Sequence, residues 1–129
     1  MRYLLLIYVA EATTPPPPDV RQAEMEAYGV FTEDIRARGL LQAGEALEPT
    51  TTATTVRIRD GQTVTTDGPY AETKEALGGF YLVNARDLDE AIELAARIPA
   101  AKHGAIEVRP IWEQAGDIER QAATAAATR

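Results

Sequence analysis

Two stretches of the chain are apolar at nearly every consecutive position, and they limit the fold more than any other feature. Tyr3-Leu-Leu-Leu-Ile-Tyr-Val9 is one, and Gly78-Gly-Phe-Tyr-Leu-Val83 is the other. Each is short, rich in aromatic and aliphatic residues and bounded by turn formers, which predicts a strand rather than a helix. Successive side chains of a strand point to opposite faces. A strand apolar on both faces therefore needs cover on both.

The rest of the chain shows how much cover it can supply. Pro15–Pro18 favours an extended polyproline connector after the first strand, a better reading than an SH3-type ligand. Asp19 is expected to cap a helix, with Gln22 as capping-box partner, Ala27, Tyr28, Phe31 and Ile35 as its apolar face and Gly39 as its C-terminal stop. Leu40 to Leu47 reads as a second strand ended by Glu48-Pro49, and Thr50–Thr55 leads into Val56-Arg-Ile-Arg59. Asp60-Gly61 between that run and Gln62–Thr66 signals a two-residue hairpin. A loop from Asp67 to Ala76 precedes the Gly78–Val83 strand. A second helix follows, capped by Asp87 with Glu90, carrying Leu88, Ala91, Ile92, Ala95 and Ile98 as its buried stripe and ended by Pro99. Ala105 to Trp112 is the last strand.

The order β-α-β, hairpin, β-α-β predicts an α+β fold: a ferredoxin-like split β-α-β with an inserted β-hairpin. The hairpin could extend either sheet edge. Two helices cover one face of such a sheet, so the second face of the doubly apolar strands requires another partner, and a second copy of the chain is the simplest one. With 129 residues the chain suits one domain, expected at 1–113, and the Ala/Thr-rich remainder at 114–129 is expected to be a loose tail or a frayed helix.

Composition removes several classes of function. Without cysteine there is no disulfide, thiol catalysis or Cys-ligated metal, and without serine there is no serine nucleophile. With one histidine and no cysteine, neither a bound metal nor a cofactor is expected, and no phosphate-binding glycine motif is present. The net charge is −7 and Lys/Arg residues do not cluster, so direct nucleic-acid binding is not expected. Tyr3–Ala10 is too short to span a bilayer. Met1-Arg2 and Ala10-Glu11-Ala12 give only a faint, undersized likeness to a signal peptide, so a cytoplasmic location is expected.

Three places could carry chemistry. On the last strand Glu107 and Arg109 alternate with Ile106 and Val108 and should face away from the helices, into the space a dimer would enclose. They read as a structural ion pair, slightly ahead of a reading in which they orient a polar ligand. Asp67-Gly-Pro-Tyr-Ala-Glu-Thr-Lys-Glu75 is either a turn, with Asp67 bonding the backbone ahead of it, or a ligand-binding loop in which Asp67 and Lys74 take part. His103 lies in a polar loop with no partner that the sequence assigns. Asp67, Glu107 and His103 are the candidate catalytic residues, and Asp67, Lys74, Glu107 and Arg109 the candidate ligand-binding ones.

The stretch Thr66–Glu75, followed by Leu77-Gly-Gly-Phe-Tyr-Leu82, resembles the signature of the DGPF family of YCII-related proteins, with Tyr70 in place of the family's phenylalanine. Asp87–Ile92, Ala95–Pro99 and Ile106–Pro110 are also similar, so the resemblance runs from about Met1 to Trp112. It implies a dimeric α+β barrel, two ferredoxin-like sheets packed face to face around a shared cavity. It also implies association with a sigma factor of the extracytoplasmic-function type. The wider group's histidine and aspartate fall near Tyr28 and Ile98 here, so that acid–base pair is not carried over. The resulting expectation is a homodimer that binds a small polar molecule in its cavity in a regulatory role. The alternatives are a lyase- or isomerase-type enzyme with Glu107 or Asp67 as base and Arg109 holding a substrate carboxylate, or an interaction module for a sigma factor.

Overall fold

The computed structural model describes residues 1–113 together with 122, 125 and 126. Up to residue 113 the elements are β1 (Arg2–Val9), α1 (Pro18–Ala37), β2 (Leu41–Ala46), β3 (Thr54–Arg59), β4 (Gln62–Asp67), β5 (Ala76–Asn84), α2 (Leu88–Arg97) and β6 (Ala105–Pro110). Short 3₁₀ turns occupy Thr50–Thr52 and Pro99–Lys102. The tail expected at 114–129 lies outside the described residues, apart from 122, 125 and 126, which are helical.

β2, β5, β1 and β6 form one antiparallel sheet in that order. The two central strands are therefore the doubly apolar ones, and the connectivity is the ferredoxin-like split β-α-β. β3 and β4 pair only with each other, so the inserted hairpin extends neither sheet edge. Its turn is Asp60-Gly61, both at positive φ (53° and 74°), the two-residue geometry that matches strand twist.

α1 starts two residues earlier than the sequence suggests. Pro18 is its first residue and Pro17 stands at the cap without a side-chain bond, so Asp19 is not the cap and no Asp19–Gln22 box forms. Proline at the first helical position has φ already set and lacks only an N–H the helix does not need. Asp19 instead stands in the first turn, where a carboxylate suits the helix dipole. At the other end Gly39 (φ 72°) donates to Arg36 O and Leu40 N to Ile35 O, a Schellman stop. Phe31 and Ile35 are buried with Tyr28 beside them, whereas Ala27, about 100° round the helix from Tyr28, is exposed.

α2 is capped by Asp87, which accepts from Glu90 N at 2.9 Å. Glu90 returns its carboxylate to Arg86 N at 2.9 Å rather than to the N–H of Asp87, so the box closes one residue early. Its buried stripe is Ala91, Leu94, Ala95 and then Ile98, a steady three–four spacing. Leu88 and Ile92, expected in that stripe, are half-exposed: Ile92 is one residue round from Ala91, and no described element covers Leu88. Ile98 is extended before Pro99, as a residue preceding proline prefers.

Both helices pack on the same face of the sheet. Tyr3, Leu5 and Ile7 of β1 and Tyr81 and Val83 of β5 meet Phe31, Ile35, Leu94 and Ile98 there, each large side chain worth about 1.5–3 kcal/mol of burial. On the opposite face Leu4, Leu6, Tyr8, Phe80 and Leu82 are only half-buried, and neither α1 nor α2 lies over them. β6 ends at Pro110, short of the expected Trp112, which is exposed. Among the described residues no helix is long and apolar enough to cross a membrane.

Candidate functional site

Residues directly opposite in a ladder share a face. The pairing therefore reads out the open face row by row. Ala43, Leu82, Leu4 and Arg109 form one row, and Glu45, Phe80, Leu6 and Glu107 the next. Leu77, Tyr8 and Ala105 form a third. The centre is apolar and the margins on β2 and β6 are charged. Ile106 and Val108 pack against the core, so Glu107 and Arg109 point away from the helices. Arg109 Nε donates to Glu107 Oε2 at 2.7 Å, and a second guanidinium nitrogen reaches the same oxygen. Arg2, on the same face of β1, grips Glu113 with two bonds of 2.9 and 3.1 Å, which hold the Glu113 carboxyl below the usual range.

A cleft of about 360 Å³ opens at the end of the sheet where β1 finishes and β5 begins. Its polar walls are Glu11, Thr50, Thr51, Glu72, Thr73 and Lys74, with Gly68, Pro69, Ala71 and Ala76 completing the lining. Pairing of Val9 with Ala76 brings Glu11 and the 68–75 loop together. Glu11 accepts the N–H of Thr50 at 3.1 Å, fixing the 3₁₀ turn against the end of β1. The loop's start is pinned by Gly68 N to Ala53 O (2.8 Å) and by Thr55 Oγ1 to Gly68 O (2.9 Å), and its end by the Thr73 hydroxyl on Glu75 O. Gly68 sits at φ 107°, a conformation that favours glycine. Outside the cleft, the Arg57 guanidinium lies 5.0 Å from the Tyr70 ring centroid, a cation–π contact that lashes the loop to β3.

The residues singled out from sequence do not converge. Lys74 lines the cleft, whereas Asp67, Glu107, Arg109 and His103 do not. Asp67 is exposed at the end of β4; its backbone pairs with Thr54, and Thr55 and Gly68 make the turn bonds that its side chain was expected to make. His103 stands in an exposed loop with Nε2 3.8 Å from Glu24 Oε1. Glu107 and Arg109 are engaged with each other on the edge strand. Among the described residues no three His, Cys, Asp or Glu gather as metal ligands.

Glu11, Thr50 and Thr51 were missed. Nothing marks them locally, because only the β1–β5 register brings residues 11, 50 and 74 to one place. Also missed was a polar seam between α1 and the sheet. Tyr81 OH and Thr32 Oγ1 lie 2.8 Å apart, and Tyr81 meets Phe31 edge-on at 5.2 Å. Beside them the Tyr28 phenol is pushed up, first by burial, then by Glu24 and Tyr81, against an opposing bond from the Ala100 backbone. Where the resemblance would place an acid–base pair, the structure has this half-buried phenol and the fully buried side chain of Ile98.

A sequence model of the YCII-related domain matches residues 1–115. An uncharacterised protein of Rhizobium meliloti (strain 1021) is 49% identical over 67 residues, which is 50% of this chain and 54% of that protein, so the chain spans about half the length of the curated relative it matches. Among solved structures, 5-chloro-2-hydroxyhydroquinone dehydrochlorinase from Burkholderia phenoliruptrix AC1100, in complex with 2,5-dihydroxybenzoquinone, superposes at a TM-score of 0.48 with 19% identity, covering 91% of this chain and 100% of that one.

Proposed function

The chain belongs to the YCII-related family, and from that premise we propose that it works as a homodimer that binds a small polar molecule in a regulatory role. The cleft carries the reading: a space of about 360 Å³ is large enough for a small ligand, and its walls present one ammonium, two carboxylates and three hydroxyls. Lys74 offers a point charge for an anionic group, and Glu72 an acceptor for an amine or hydroxyl. Glu11 already holds the Thr50 N–H with one oxygen and keeps the other for a ligand. The second copy belongs on the open face, where Leu4, Leu6, Phe80 and Leu82 would otherwise stay in contact with water.

Catalysis by a carboxylate base has less support. Asp67 lies outside the cleft, and Glu107 is engaged by Arg109.

The test is thermal denaturation of the protein against a panel of small hydroxy acids and amino acids. A true ligand at a hundred times its Kd adds about 2.7 kcal/mol and raises Tm on the order of 10 °C. Lys74→Met is expected to weaken that ligand at least tenfold while leaving the unliganded Tm unchanged, since Lys74 is exposed. A panel without any shift, or a shift that survives Lys74→Met intact, would overturn the cleft as the site.

A further inference from the structure

The cleft beside Lys74 is lined by charges of both signs that the chain itself does not pair. Glu72 and Lys74 stand two residues apart in one loop and line the same space. They form no ion pair with each other, and neither side chain has a hydrogen-bond partner among the described residues. Glu11, arriving from the end of β1, accepts only the Thr50 N–H. The hydroxyls of Thr50 and Thr51 make no bond among the described residues. Elsewhere neighbouring opposite charges satisfy one another, as Glu107 does with Arg109, Arg2 with Glu113 and Asp34 with Arg97. A ligand in the cleft can therefore engage an ammonium, two carboxylates and two hydroxyls without breaking an ion pair of the protein.

We infer that the cleft takes a small zwitterion of the α-amino acid class, its ammonium on Glu72 and Glu11 and its carboxylate on Lys74. The inference rests on the cleft proposed above as the binding site and names what that site selects. Donor and acceptor chemistry matches on both sides. An ammonium has three donors and no acceptor, and a carboxylate is an acceptor only, so each end of the zwitterion fits one kind of wall. The Thr50 and Thr51 hydroxyls can turn to donate or accept at either end. Charge then rejects the alternatives. The walls carry two carboxylates to one ammonium, within a chain of net charge −7, so a dianion meets more repulsion than attraction. A hydroxy acid brings no cation to Glu72 or Glu11, and a simple amine leaves Lys74 without an anion. The volume of about 360 Å³ lies at the small end of ligand pockets, which suits an amino acid better than a nucleotide.

The test is calorimetric titration of the full chain with four compounds of similar size: L-serine, L-glycerate, ethanolamine and malonate. Glycerate replaces the ammonium of serine with a hydroxyl, ethanolamine lacks the carboxylate, and malonate is a dianion. Serine is expected to bind about tenfold or more tighter than each of the others, the scale of one lost hydrogen-bonded charge. The variants separate the two ends. Glu72→Gln should shrink the advantage of serine over glycerate and spare its advantage over ethanolamine. Lys74→Met should do the reverse. Glu72 and Lys74 are both exposed, so both variants should keep the unliganded Tm. If glycerate or malonate binds as tightly as serine and Lys74→Met weakens it, the amino-acid class is overturned while the cleft stands. If serine binds and neither variant changes its affinity, both the class and the cleft are overturned. No heat from any of the four at millimolar concentration also overturns the class, and the cleft stands only if another compound binds in a way that depends on Lys74.

Discussion

A methyl group at Gly104 would sit 2.2 Å from the Tyr8 carbonyl oxygen and 3.0 Å from Val9 Cγ1. The obstacle is backbone of the central strand, which cannot rotate aside as a side chain would. Gly104→Ala is accordingly expected to cost at least ~2 kcal/mol in urea denaturation. An unchanged midpoint would mean that β6 does not leave its turn so close to β1. Asp34 sets a second expectation at this scale. Its carboxyl is held below the usual range chiefly by the hydrogen bond from Arg97, 2.8 Å away on α2, with Arg38 adding to it. Because the folded-state pKa is lowered, this contribution is present in full above the unfolded-state value and is lost as pH falls through the folded one. Arg97→Ala should move the Asp34 midpoint upward in an NMR titration and flatten the acid side of the stability profile. At neutral pH the loss should be small, because both groups are substantially exposed.

Elements differ in how far their own residues determine them. α2 takes its start from Asp87, whose side chain satisfies Glu90 N. Asp87→Ala should cost about 1 kcal/mol and Asp87→Asn much less, measured by the same denaturation, because asparagine retains the accepting oxygen. Most element boundaries were legible for this kind of reason: Asp87 before α2, Gly39 after α1 and Asp60-Gly61 between β3 and β4 are local signals, and local physics answers to them. The exceptions also have causes. Asp19 looked like a cap, but Pro18 competes for the start of α1 with a preset φ. Leu88 and Ile92 looked buried because they are apolar near a helical stripe, but α2 touches the sheet only along the narrower line Ala91, Leu94, Ala95 and Ile98. The candidate site was less legible than the fold. Lys74 was visible within its loop, whereas Glu11 and Thr50 become its neighbours only through long-range strand pairing, which leaves no mark on adjacent residues.

For the whole molecule the decisive fact is a sheet with helices on one side and rows of half-buried Leu, Phe and Tyr on the other. Those rows run between charged margins, Glu45 on one edge strand and the Glu107–Arg109 pair on the other. A face that is apolar at its centre and polar at its rim has the anatomy of a protein–protein interface. The continuity of apolar residues in Tyr3–Val9 and Gly78–Val83 is explained only if both sides of the central strands are covered. The cleft beside Lys74 lies at one end of that face, where β1 finishes and β5 begins. Sedimentation equilibrium of the full chain at micromolar concentrations tests the cover of that face most directly. Twice the chain's own mass is the predicted result, and a single-chain mass across the whole concentration range would contradict the account.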